Sequence, residues 1–371
     1  MQGCGVIVKL VTGAKEDMSC SGMYLGHGVV LTHGTLLVDL FKDKRAQPLI
    51  EQLSTKGYYA RMRQEPSVLD DIFNSDQSKI EVILPSKEHM RKVSGNDNDF
   101  WTFPGMRNNP LCQTSSQSHH KAFVPHCDSS GFLSATAHFD RIIAQSGVYE
   151  CLESLMPTSQ GWKLLEENQN DITSDLEKLI MSTFVLLILS GKEWSNEELD
   201  NNVIKAAKDV MSLFTPIQKG NFVYVESSPF GSASPSMFLN SVSHGIICNT
   251  GPKGQEEVLL TDARCITGSE GAPVFVVVNG LRRPCAVVIS PFCWQKGEWL
   301  GLTLLASLGP VLQTLLQSHT SLALLLPKNL SAQKKNDNLT NIATAAVEPQ
   351  LRIGSIDRNF VEGSYNNKLI L

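Results

Sequence analysis

The feature that most constrains the fold is a series of short runs of β-branched and aliphatic residues, separated by Gly, Pro, Asn and Ser. Branched side chains pack well on a pleated surface, and the separating residues favour turns. Many short strands at such spacing are typical of a sandwich or a barrel. The predicted strands are 5–11, 29–32, 80–84, 183–189, 222–225, 245–248, 258–261, 274–278, 285–290 and 300–305.

Helical periodicity is limited to a few segments. It predicts helices over 161–181, 196–214 and 308–318, and Ser195 with Glu198 forms a capping-box pattern at the start of the second. The stretch 86–146 is dense in Asn, Asp, Ser and His and is predicted to form long loops or an insertion. The polar run 328–340 indicates a linker, and the tail from 327 onward is predicted to be a disordered linker with an incomplete strand.

Charge and cysteine content exclude several classes of function. The 371 residues carry a formal net charge of -5, which disfavours a nucleic-acid partner because such a partner needs a basic face. The longest apolar runs, 184–189 and 322–326, are too short to cross a bilayer, and the first 25 residues contain no apolar signal segment. Nine cysteines without Cys-x-x-Cys spacing indicate reduced thiols in an intracellular compartment. We therefore expect a soluble protein with no cofactor and no metal, bound to neither nucleic acid nor membrane.

The segment Gly268-Ser269-Glu270-Gly271-Ala272-Pro273 has the outline of a serine-protease nucleophile loop, Gly-x-Ser-Gly-Gly-Pro, with a carboxylate in the nucleophile position. Glycines allow the tight turn that points backbone N–H groups at the oxyanion. A frame shifted by one residue would make Ser269 the nucleophile, but it loses the glycine that should follow it.

Flanking motifs carry a family resemblance. The segments 218–225, 228–231, 241–247 and 261–263 resemble, in order, motifs of the C-terminal barrel of the HtrA/trypsin superfamily. The segments 259–265, 268–271 and 292–305 look like the N-terminal half of the trypsin-domain-containing peroxisomal leader-peptide-processing proteases. The resemblance covers 213–326 well and 19–34 loosely. In that family a second protease-like domain carries the active serine, and the chain ends in Ser-Lys-Leu; this chain ends in Asn367-Lys368-Leu369-Ile370-Leu371.

The resemblance implies an all-β fold with helical insertions, a chymotrypsin-like double β-barrel. Residues 1–215 would form the first barrel with insertions, 216–326 the second, and 327–371 a linker and truncated tail. It also implies a serine endopeptidase lineage and a peroxisomal location, although the Ser-Lys-Leu signal is not present.

The resemblance places a degenerate catalytic triad on three positions. His33 falls at the base position, with a backbone-satisfied strand-end histidine as the alternative. Thr183 stands where the family has Asp. Glu270 at the nucleophile position is a poor acyl acceptor, and its ionised side chain would occupy the oxyanion donors of the loop formed by Gly268 and Gly271. Ser269 with His33 as an active pair, and Glu270 as an unusual acid or base, are the alternatives.

Other polar clusters favour structural interpretations. Asp175 and Glu177 are predicted to lie on the solvated face of a helix. Cys265 is expected to be inert packing. The grouping of His119, His120, His126, Cys127 and Asp128 lacks metal-ligand spacing and is expected to be a polar loop. Trp294 and Trp299 are predicted to flank a hairpin and pack into the core.

Three hypotheses of function follow. The chain is a protease-family region inactive by itself, whose lineage processes leader peptides of imported proteins. Alternatively, it is an interaction module that binds a protease domain, an extended peptide or a second copy of itself. An unrelated β-barrel scaffold would be favoured if His33 lay away from the Gly268–Gly271 loop.

Overall fold

A computed structural model describes most of the first 325 residues. The predicted tail from 327, and nearly all of 86–131, lie outside the described residues. The described residues are 4–11, 18–60, 78–85, 126–127, 132–165, 172–190, 195–231, 233–251, 256–279, 281–291, 294–296 and 298–325.

The first barrel is a closed ring of six antiparallel strands in the order β7-β5-β1-β2-β3-β9, with β7 pairing β9 to close it and β4 and β6 pairing β7 outside the ring. Strand β9 is buried along its whole length, which explains its unbroken apolar run. The strands are β1 (Cys4–Val11), β2 (Met18–Gly26), β3 (Val29–His33), β4 (Tyr58–Ala60), β5 (Lys79–Pro85), β6 (His126–Cys127), β7 (Phe132–Ala144) and β9 (Thr183–Leu189).

The second barrel is a closed ring of six antiparallel strands in the order β10-β11-β12-β17-β14-β13. A separate small sheet joins β8, from the chain before β9, to the hairpin β15–β16. The strands are β8 (Trp162–Lys163), β10 (Phe222–Ser227), β11 (Ser241–Thr250), β12 (Val258–Thr261), β13 (Pro273–Val278), β14 (Leu281–Ser290), β15 (Trp294–Gln295), β16 (Glu298–Trp299) and β17 (Thr303–Ser307).

The described part of the chain contains seven α-helices. They are α1 (Val38–Phe41), α2 (Gln47–Lys56), α3 (Ser146–Leu155), α4 (Ser174–Met181), α5 (Asn196–Leu213), α6 (Pro235–Phe238) and α7 (Leu308–Leu325). The capping box at Ser195 is confirmed, since its side chain accepts from the Glu198 N–H and Glu198 accepts from the Ser195 N–H. One apolar core contains the first-barrel strands, one face of α5, the start of α7 and part of the second barrel, so the two barrels share buried surface. A second core fills the interior of the second barrel.

Two closed six-stranded barrels confirm the predicted double β-barrel of chymotrypsin type. Two local predictions were wrong. The stretch 86–146 contains the long strand β7, which pairs with β5 and β9; the buried polar residues Asp140 and Arg141, at a bulge in the strand, interrupt its alternation. The helix predicted over 161–181 begins only at Ser174, and its first part forms β8, because pairing to β15 across the chain overrides local periodicity.

Candidate active site

The Gly268–Gly271 loop lies against the first barrel because Gly271 allows a very close approach. Gly271 has φ 83°, and a Cβ there would lie 2.3 Å from the Ser21 carbonyl oxygen and 3.1 Å from the His33 backbone nitrogen. Its N–H donates to the carbonyl of Val288 at 2.8 Å, which ties the loop to β14. The loop and the end of β3 are therefore neighbours, and the separation that would favour an unrelated scaffold is not found.

The turn at Gly268 holds the Glu270 side chain in the loop. The Gly268 N–H donates to Glu270 Oε2 at 2.8 Å, and Gly268 has φ 89°. Its carbonyl accepts from Ser21 Oγ at 2.6 Å, and the same Oγ accepts from the Ser228 N–H at 2.8 Å. Glu270 is only 8% exposed. An amide that could face an oxyanion is thus occupied by a negative charge from the chain itself.

Ser269 points into the turn. Its side chain is fully buried, and its Oγ accepts from the Ile266 N–H at 3.3 Å. Its own N–H donates to the Ile266 carbonyl at 3.0 Å. Both bonds are made to Ile266 within the same turn, and they hold the Ser269 hydroxyl against the loop backbone.

His33 is buried at the end of β3, and its hydrogen bonds set its tautomer. Its Nε2 lies 3.0 Å from the Met181 carbonyl oxygen, which can only accept, so Nε2 carries the ring proton. Its Nδ1 accepts from the Thr35 N–H at 3.3 Å and lies 3.2 Å from Thr35 Oγ1. Burial lowers the pKa of His33 to about 4. A triad requires the opposite arrangement, with Nε2 free to accept a proton from the nucleophile.

Thr183 occupies the start of β9, beside His33. In the β3–β9 register His33 pairs with Phe184, and their rings meet edge to face with centroids 5.6 Å apart. The Thr183 hydroxyl donates to the Leu179 carbonyl at 2.6 Å. The position predicted to replace the orienting Asp is therefore adjacent to the base position, but its side chain bonds to α4.

A pocket of about 90 Å³ lies beside the loop, between the two barrels. It is lined by Gly268 and Glu270 of the loop and by Cys20 and Thr35 on the side of the first barrel. Leu164 and Leu165, which follow β8, also line it. These leucines were not identified as site residues from the sequence, because nothing local to 161–165 indicates contact with a loop about a hundred residues later.

Glu177 has a different role from the solvated helix face predicted for it. Its Oε1 accepts from the N–H groups of Leu164 and Leu165 at 2.7 and 2.9 Å. Asp175, two residues earlier, is exposed as predicted. In the sequence, Glu177 was recognisable only as an acidic residue in the first turn of a helix, which does not indicate these two bonds.

The remaining polar groups behave as structural residues. Cys265 is buried, and burial raises its thiol pKa to about 12, so it stays protonated, as expected for inert packing. Among the described residues no cluster of His, Cys, Asp and Glu is suited to a metal ion. His126 and Cys127 form β6, whereas His119, His120 and Asp128 lie outside the described residues. Trp294 pairs with Trp299 in the predicted hairpin β15–β16, while their side chains lie outside the described set.

In the part of the chain that is described, no helix is both long and apolar enough to cross a membrane.

Known proteins resemble this chain in part. No family profile matches it. It is 31% identical over 204 residues to the peroxisomal leader peptide-processing protease of Homo sapiens, covering 52% of this chain and 32% of that protein. It is 42% identical over 123 residues to the protein of the same name from Mus musculus, covering 30% of this chain and 20% of that protein. The chain thus matches about a third or less of the length of these curated relatives.

Solved structures with a similar course of the chain include Deg5, at 11% identity and a TM-score of 0.36, covering 85% of this chain and 90% of Deg5. The thermostable serine protease AL20 from an extremophilic microorganism has 11% identity and a TM-score of 0.34, covering 86% of this chain and 98% of AL20. The fold assignment rests on the closure of the two barrels. The chain is related in sequence to part of the peroxisomal leader peptide-processing proteases, and it has the double β-barrel fold of the chymotrypsin-like proteases.

Proposed function

We propose that this chain is a protease-like module of the peroxisomal leader-peptide-processing lineage, that it has no peptidase activity of its own, and that it binds polypeptide. The observation that carries the proposal is the hydrogen bond from the Gly268 N–H to Glu270 Oε2. Because the Gly268 N–H already donates to the Glu270 carboxylate, it is not available to the oxyanion that forms during acyl transfer. The loop therefore cannot stabilise the negative charge of the transition state.

The base position supports the same proposal. Protonated Nε2 of His33 donates to a backbone carbonyl, and its buried ring has a pKa of about 4. A base must take a proton through a free lone pair and then stabilise the imidazolium, and both requirements oppose this environment. The Ser269 alternative has little support, since that hydroxyl is fully buried in a turn.

Polypeptide binding fits what the fold retains. The cleft between the barrels is lined by apolar residues such as Leu36 and Val38 and by polar residues such as Ser290, a mixed surface suited to holding an extended chain without cleaving it. The matched relatives are named as leader peptide-processing proteases, so we propose that the module acts in the same process, in the peroxisome, by binding a protease domain or its polypeptide substrate.

A fluorophosphonate probe tests the absence of catalysis. Because labelling requires an activated serine, we expect no covalent adduct on the folded chain at neutral pH, with a trypsin-like protease labelled in parallel. Intact mass spectrometry reads the adduct, and peptide mapping locates it. Stoichiometric labelling at Ser269 contradicts the proposal. Retained binding of the unlabelled protein to a protease domain supports it.

A further inference from the structure

Residues 161–165, here named the strap, include β8, which adds a third strand to the hairpin β15–β16. Trp162 and Lys163 pair antiparallel with Gln295 and Trp294 of β15. The Lys296 N–H donates to the Gly161 carbonyl at 2.9 Å, which extends the ladder by one bond. The strap belongs to the chain between β7 and β9 of the first barrel, so it crosses from one barrel to the other.

Backbone groups beyond the ladder are also bound. The Leu164 carbonyl accepts from Ser290 Oγ at 2.7 Å. The N–H groups of Leu164 and Leu165 both donate to Glu177 Oε1. None of these bonds depends on the side chains of the strap, so another extended chain in the same place would form them equally well.

The side chains of the strap explain its position. Leu164 is 3% exposed, and with Leu165 it lines the same pocket as Gly268 and Glu270. Lys163, the last residue of the ladder before the leucines, is exposed. Of the strap residues only the two consecutive leucines line the pocket, so burial of their apolar side chains favours this position.

We propose that the strap is a resident strand in a peptide groove, and that an extended polypeptide with two consecutive aliphatic residues binds by exchanging with it. The proposal rests on the proposed function, since it names the chemistry of the polypeptide that the non-catalytic cleft takes.

Exchange has a predictable cost. A tethered strand is present at a high effective concentration, about millimolar for a short connection, so a free peptide competes poorly with the intact strap. The apparent affinity of the groove equals its intrinsic affinity multiplied by the fraction of molecules in which the strap is released. Changes that weaken only the strap should therefore increase the apparent affinity for a peptide added in solution.

The test uses the full chain and a fluorescein-labelled peptide of residues 160–165, Gln-Gly-Trp-Lys-Leu-Leu. In Leu164→Ala the strap loses a buried side chain while the groove keeps all its residues. We expect fluorescence anisotropy to report binding at least about tenfold tighter than to the unmodified chain. A peptide with serine in place of both leucines should bind at least about tenfold more weakly to the same variant.

Two further variants control the result. Gly161→Val strains the strap differently, because Gly161 has φ 79° and a Cβ would lie 3.1 Å from Lys296 Cγ; it should also tighten peptide binding. Leu53→Ala removes an equally buried leucine from α2, and it should lower the melting temperature while leaving peptide affinity unchanged. Trypsin cleavage after Lys163 should become faster only in the two strap variants.

The outcomes separate this inference from the proposed function. Equal peptide affinity in the unmodified chain and both strap variants, or an equal gain in Leu53→Ala, overturns the exchange and leaves the non-catalytic function standing. Mass spectrometry of the bound peptide tests the non-catalytic function separately, because it detects cleavage of the peptide. Cleavage of the peptide by a strap variant would overturn the non-catalytic function, even where exchange occurs.

Discussion

Restoring a serine at position 270 should not restore a protease. The change Glu270→Ser frees the Gly268 N–H and supplies the missing nucleophile type in the aligned frame. His33 still has its proton on Nε2, bound to the Met181 carbonyl. Position 183 still carries a threonine whose hydroxyl bonds to α4. The variant therefore regains a nucleophile without a usable base.

The magnitude follows from the environment of His33. Burial lowers its pKa from 6.5 to about 4. One pKa unit corresponds to about 1.4 kcal/mol, so the imidazolium costs about 3 kcal/mol more here than in water, a factor of about a hundred or more in rate. Loss of the orienting carboxylate alone costs about 10⁴ in kcat in enzymes with a complete triad. These two effects are not additive, so the larger one sets a lower limit on how far the rate of Glu270→Ser falls below that of an enzyme with a complete triad.

The assay is the second-order rate of fluorophosphonate labelling, measured for the unmodified chain, Glu270→Ser, Glu270→Gln and Glu270→Ser/Thr183→Asp. We expect Glu270→Ser to react at least about 10⁴ times more slowly than a trypsin-like protease. The Thr183→Asp change places a carboxylate beside His33 that favours its charged form, so the double variant should react at least about tenfold faster than Glu270→Ser.

Glu270→Gln is the control, because it keeps the shape of the side chain and an oxygen that can accept from the Gly268 N–H. It should melt near the unmodified chain and remain unlabelled. Rapid stoichiometric labelling of Glu270→Ser without the Thr183 change would refute the argument from the tautomer and pKa of His33.

Three further predictions concern stability. Gly271→Ala should lower the unfolding free energy by at least about 3 kcal/mol, because its Cβ would lie 2.3 Å from the Ser21 carbonyl oxygen. The control Gly28→Ala, at φ 79° with no atom within 4 Å, should cost only about 1–2 kcal/mol. Equal losses of unfolding free energy in urea would refute the contact argument. Ser195→Ala removes the capping box of α5 and should cost about 0.5–2 kcal/mol, measured by thermal melting; an unchanged melting temperature would contradict it. His33 is protonated below pH 6.5 in the unfolded chain but only near pH 4 in the folded chain. The unfolding free energy should therefore be unaffected by this group above pH 6.5 and should fall by up to about 3 kcal/mol toward pH 4. His33→Gln should remove this pH dependence, and an identical slope of unfolding free energy against pH in the two proteins would contradict the prediction.

Local pattern was enough for much of the fold. The predicted strands 183–189 and 258–261 match β9 and β12, and the capping box at Ser195 begins α5 where predicted. These features depend on alternation, apolar runs and near-neighbour hydrogen bonds, all of which are visible in a short window. Strand β7 was missed because it follows a long polar stretch, and its identity depends on pairing with distant strands.

The candidate site divides in the same way. The motif around Glu270 could be identified from its glycines, because positive φ at Gly268 and Gly271 is a local requirement of the turn. The partners of Glu177 and of the two strap leucines could not be identified, because the Glu177 bonds join residues 12 and 13 positions apart and the pocket brings the leucines near a distant loop.

The amino-acid sequence by itself determined that this chain forms small β-barrels, that it is related to a protease lineage, and that residue 270 is a carboxylate. Tertiary structure alone decided that this carboxylate binds the Gly268 amide, that His33 holds its proton toward Met181, and that β8 pairs with β15. The physical reason is range. Local turns depend on residues that are neighbours in the sequence. The partner of a hydrogen bond depends instead on which distant groups the two barrels bring within about 3 Å.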